Sequence, residues 1–130
     1  MSQHREKRCW VRVEPVPVRS ASGTLRGMDL RELTAQVERV SRQYAAEFGI
    51  ERSSDWHILK LHEEVGELTQ VHLMREGQAR SKGLSAPDLD QRFAAEIADV
   101  ICHALLVASH HNVDVESAIE RKWLSRMQGR

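Results

Sequence analysis

From Phe93 to Ala108 the chain runs for 16 residues in which only Glu96, Asp99 and His103 are strongly polar. A helix apolar on nearly all sides is expected to be buried. Glu and Asp are rarely buried unless they are paired or hold a cation. This segment therefore predicts a helical bundle with an internal helix, and it requires a partner for Glu96 and Asp99 inside that bundle. At about 100° per residue, positions 96, 99 and 103 share one stripe, with Arg92 at its start and His110 further along. Glu96 and Asp99 lie one turn apart and can converge on one ion.

An earlier segment supplies a matching pair. Lys60, Glu64, Glu67 and Val71 form one helical stripe, flanked by Trp56 and Glu63. The adjoining stripe of Ile58, Leu61, Val65 and Leu68 is the expected core face, so the acids border the core. Gly66 lets a neighbouring helix or a ligand come close. Two acid pairs at i, i+3 on two helices give four facing carboxylates, an oxygen-rich cage for a hard divalent cation. Mg2+ suits it best, with Mn2+ second. Neither Cys9 nor Cys102 has a metal-ligand spacing. Glu-rich helix faces are commonly just solvated; the apolar run around Glu96 and Asp99 is what argues otherwise here.

The remaining signals define four helices and a tail. The first spans about 29–48, with Asp29 as N-cap, Glu32 completing a capping box, and Gly49 ending it. The second spans about 55–75, capped by Ser53 or Ser54 and stopped near Gly77. A polar loop, 78–87, carries Arg80 and Lys82 and can close over a ligand or simply connect. The third helix spans about 88–111, with Asn112 as a left-handed cap. The fourth starts at Asp114 and runs toward Met127. In the tail, Cys9 to Val13 alternates like a strand, but Pro15 and Pro17 stop it. The expectation is a flexible arm over 1–27 and one all-α domain, a four-helix bundle, over 28–130.

Charge and length bound the function. The 130 residues carry 19 Lys+Arg against 19 Asp+Glu, which removes the broad electrostatic case for a nucleic-acid binder. Residues 1–27 hold six bases and two acids, and 28–130 hold 13 bases and 17 acids. A body with that acidic balance repels phosphates unless a cation intervenes. No uninterrupted apolar run approaches membrane-helix length, so no membrane partner is expected. Two distant cysteines suit a reducing compartment, and a cytoplasmic protein is expected.

With these residues in view, the chain resembles the MazG-like all-α nucleotide pyrophosphohydrolases. Their motif is Glu-Glu-x-x-Glu, a spacer, then Glu-x-x-Asp. It is matched by Glu63-Glu64-Val65-Gly66-Glu67 and by Glu96-Ile97-Ala98-Asp99, with a spacer, 68–95, toward the long end for the family. The start of the fourth helix, Asn112 to Val115 with Ala118, Ile119 and Lys122, is also similar. The resemblance covers about 28–126. It implies hydrolysis of a nucleoside triphosphate to the monophosphate and pyrophosphate. Glu64, Glu67, Glu96 and Asp99 would bind Mg2+, and Glu63 would orient or deprotonate the attacking water. It further implies a homodimer or tetramer and a role in clearing aberrant nucleotides. Substrates of similar folds include dCTP, dUTP, non-standard nucleotides and phosphoribosyl-ATP.

Other residues are candidates for holding substrate. Lys60 shares the stripe of Glu64 and can reach a phosphate; Lys122 can do the same from the fourth helix. Either is equally an ordinary lysine with a buried stem. Where the family often has an Asn and a basic residue, this chain has Trp123-Leu124-Ser125-Arg126, and Arg126 can take over a phosphate contact. Trp56 and His57 lie near the site as stacking or core residues, and His103 as a partner of the metal ligands or a core histidine. Two alternatives compete. A di-iron bundle requires Glu-x-x-His pairs, which the chain lacks. A non-catalytic helical dimer would use the same fold for interaction or regulation.

Overall fold

A computed structural model of the protein describes residues 27–127, and within them the chain is all-helical. The expected arm lies outside the described residues apart from Gly27. The elements are α1 (Leu30–Phe48), α2 (Ser54–Arg75), α3 (Ala86–His110), α4 (Val115–Lys122) and a 3-10 turn (Leu124–Met127).

The capping chemistry sets most boundaries. Asp29 Oδ1 accepts from the Glu32 amide at 2.8 Å while Glu32 Oε2 accepts from the Asp29 amide, the reciprocal box that opens α1. Gly49 closes it with φ at 64°, a conformation that costs glycine least. Ser53 caps α2 through the Trp56 amide at 3.1 Å. Asn112 takes φ of 55° in the turn from α3 to α4, as expected.

Two boundaries differ from expectation. α3 begins two residues early, because Ser85 and Asp88 form a second capping box. Asp88 is its third residue, and Pro87 sits in the first turn, where its missing N–H leaves no bond unmade. α4 stops at Lys122 rather than continuing to Met127. Short helices depend on packing, and Trp123, Leu124 and Met127 are exposed, so that end buries little apolar surface among the described residues. The Ser125 hydroxyl donates instead to the Arg121 carbonyl at 2.6 Å.

α2 and α3 form the main packed pair, with α1 against α3 and α4 against α1. The buried apolar residues are Ala45, Val71, Met74, Leu89, Leu105, Leu106 and Ala108. They gather around the α2–α3 turn and the C-terminal end of α3.

The expectation that α3 is buried throughout does not hold. Ile97 and Ile101 are 37% and 51% exposed. An 18-residue window of α3 has a mean hydropathy of 1.4, enough by length and composition for a membrane span; here α3 is the helix on which α1 and α2 pack. The expected core stripe of α2 is also displaced. Ile58 and Val65 face outward, 51% and 43% exposed, and the buried positions are His57, Glu64, Val71 and Met74. Leu61 and Leu68 of that stripe remain half-buried, and Glu64 lies with them on the core face of α2 and does not merely border it.

Candidate metal centre

Glu64 occupies the middle of that inward face, with no exposed surface. Neither of its carboxylate oxygens has a hydrogen-bond partner among the described residues. Across the α2–α3 interface stand Glu96 and Asp99, both half-buried. One carboxylate oxygen from each of Glu64, Glu96 and Asp99 lies within 4.8 Å of the others. Glu96 Oε2 is likewise buried without a hydrogen-bond partner. Three of the four expected ligands thus converge. The fourth, Glu67, is half-buried one turn along α2, outside that triad but close enough to act on it electrostatically.

The titration of the group reflects this crowding. Burial first, then Glu67, Asp99 and Glu64, pushes the Glu96 carboxyl above the usual range, with Arg92 opposing. Burial and Glu67 do the same to Asp99, against Lys60. Carboxylates so placed gain from a cation that all can share.

Two nitrogen groups approach the same oxygen of Glu64. Lys60 Nζ donates to Glu63 Oε2 at 2.8 Å and stands 3.6 Å from Glu64 Oε1. His103 Nε2 stands 3.8 Å from that oxygen, and its Nδ1 is buried without a hydrogen-bond partner. Burial and the Lys60 charge lower the His103 pKa, with Glu63 opposing, which keeps the ring neutral at pH 7.

The other expected residues are placed differently. His57 is buried at the start of α2, its ring 4.5 Å from that of His110 and 5.0 Å from that of the half-buried Trp56. Beside it the Arg52 guanidinium grips Glu38 through two bonds, 2.9 and 2.7 Å. This ion pair and the His57–His110 stack went unread in the sequence, since both join residues far apart in the chain. A Glu and an Arg, 14 positions apart across a helix end, give no periodic signal. Lys122 is exposed at the end of α4, the helix that packs against α1, and Arg126 is exposed on the 3-10 turn that follows, over the Trp123 ring at 5.9 Å.

Two open hollows among the described residues lie away from the cage. One of about 340 Å³ is bounded by Leu30, Arg31, Asn112 and Asp114, and one of about 140 Å³ by Arg75, Leu89 and Asp90. Comparison with known proteins returns nothing: no family model, curated protein or solved structure matches the chain.

Proposed function

We propose that the protein is a Mg2+-dependent pyrophosphohydrolase that cleaves a nucleoside triphosphate between its α and β phosphates, as the resemblance to the MazG-like enzymes implies. One observation carries the reading: a wholly buried carboxylate, Glu64, lacks hydrogen-bond partners and converges with Glu96 and Asp99. A buried charge left so is expensive unless something binds it. The donors are hard oxygens, which fits Mg2+ first and Mn2+ second.

In this reading Glu64, Glu96 and Asp99 hold the cation, and Glu67 adds charge beside them. The bound cation offsets repulsion between carboxylates and phosphates and stabilises charge that develops on them. Glu63, next to the cage and bonded to Lys60, orients or deprotonates the attacking water. Lys60 is the nearest lysine for a phosphate. Lys122 and Arg126 keep only the support of the resemblance. Trp56 and His57, on the first turn of α2, are assigned to packing and not to the base.

The outward apolar residues Ile58, Leu59, Val65, Ile97 and Ile101 support a homodimer or tetramer in which these faces are covered. A nucleotide-clearing role follows from the resemblance, and a cytoplasmic setting from the two distant cysteines. A non-catalytic dimer would account for those faces but not for Glu64. The test is pyrophosphate release with Mg2+ across a nucleotide panel of dCTP, dUTP, phosphoribosyl-ATP and non-standard bases. Activity on at least one nucleotide is expected, with loss in Glu64→Gln and Asp99→Asn at unchanged helicity. Full activity in those variants rejects the site.

A further inference from the structure

We infer that Lys60 is the resident counter-cation of the acid cage, so that its ammonium competes with the divalent ion for Glu64. The inference rests on the metal reading above and concerns how that site is regulated. Lys60 Nζ reaches across two acids of its own helix, 2.8 Å from Glu63 Oε2 and 3.6 Å from Glu64 Oε1. The second distance is too long for a hydrogen bond, which leaves that oxygen without one. The ammonium is therefore anchored on Glu63 and only leans toward Glu64. Its charge is nonetheless felt across the cage, opposing the rise of Asp99 on α3 and depressing His103.

A cation held this way has two consequences. It lowers the repulsion among the cage carboxylates while no divalent ion is present. It also disfavours a free divalent ion, because two positive charges would share one small volume. A metal–triphosphate complex removes the conflict, since its phosphates offer the ammonium a new anionic partner a short swing away. The side chain can leave Glu64 at little cost, having no short bond to break there. Metal and nucleotide then bind best together.

The test is Mn2+ binding to the full chain without nucleotide, followed by the free-Mn2+ paramagnetic resonance signal. Wild type, Lys60→Met, Lys60→Arg and Glu64→Gln are compared. Lys60→Met, which keeps the stem, should bind Mn2+ about tenfold more tightly than wild type, while Lys60→Arg, which keeps the charge, should bind as wild type does. In turnover, Lys60→Met should raise the nucleotide KM. Lys60→Gln repeats the comparison if Met disturbs packing. A wild type that binds Mn2+ while both neutral variants bind it equally or more weakly overturns the inference and leaves the metal reading standing. No Mn2+ binding by any of the proteins, Glu64→Gln being indistinguishable from wild type, overturns the metal reading itself.

Discussion

The two faces of α2 depart in part from what hydrophobicity alone would dictate. The inward face carries His57, Glu64, Val71 and Met74, with Lys60, Leu61, Glu67 and Leu68 half-buried along it. The face turned to solvent carries Ile58, Leu59 and Val65. Burying a carboxylate while exposing aliphatic side chains is unfavourable on both counts. Under the proposed function the buried charge would have a task and the exposed apolar surface a partner. The comparison teaches that the most deeply buried stretch of α2 also holds a charge, with buried aliphatic packing continuing beyond it at Val71 and Met74.

The strongest way to break this comparison is to neutralise the inward face. Glu64→Leu should abolish pyrophosphate release, by at least about a hundredfold. The same change should stabilise the protein by about 1–3 kcal/mol, because it removes a buried group without hydrogen-bond partners. Activity and a urea melt measure the two effects. Loss of stability on that substitution would show that Glu64 is structurally satisfied after all.

Charging the outward face tests the other half. Ile101→Glu and Ile97→Glu should dissociate the assembled protein, each forfeiting the roughly 1.5–3 kcal/mol that burial of an aliphatic side chain contributes. Light scattering on an eluting peak reads the mass. A wild-type chain that is monomeric at high concentration would remove the partner from the argument.

The acid cage also makes a pH statement. The Glu96 and Asp99 carboxyls titrate above their usual range in the folded chain. The folded state therefore holds protons that the unfolded state has already released. Their contribution to stability is best below the unfolded pKa, near 4, and is lost as pH rises through the folded values. Mg2+ should offset that loss. A thermal melt should shift upward with Mg2+ at pH 7.5 and barely at all near pH 4.5.

The smallest effect lies at the other end of α2. Burial, Arg52 and His110 lower the His57 pKa, against Glu38, so the unfolded state takes up that proton first. Stability from this group is full above the unfolded pKa, near 6.5, and is lost as pH falls below it. His57→Phe should flatten the melting temperature between pH 7 and 5 relative to wild type.

Much of this was legible in the residues. Asp29 with Glu32, Ser53, Gly49 and Asn112 mark helix ends because capping is local chemistry. Two acid pairs at helical spacing point to one shared site when their helices pack, which holds for Glu64, Glu96 and Asp99 but leaves Glu67 outside the converging group. The facing of α2 was not legible. Ile58, Leu61, Val65 and Leu68 form a clean apolar stripe directly beside the polar one, and periodicity cannot say where the edge of the buried face falls: Leu61 and Leu68 are half-buried, Ile58 and Val65 exposed. The spacing of His57, Glu64 and Val71, with Met74, marks the buried line only once it is known to be buried. The exposure of Ile97 and Ile101 escaped for the same reason, since composition reports that a surface will be covered and not by whom.

Gly66 has nothing within 4 Å of the place a methyl group would fill. Glycine in a helix interior loosens it by about 1 kcal/mol relative to alanine. A lone chain carrying Gly66→Ala should therefore be firmer, and keeping glycine there would be a plain loss. Beside Val65, however, the bare peptide is where another backbone would touch most closely. In an assembled protein the alanine should lose its advantage or reverse it, so one added carbon serves as a feeler gauge for a neighbour.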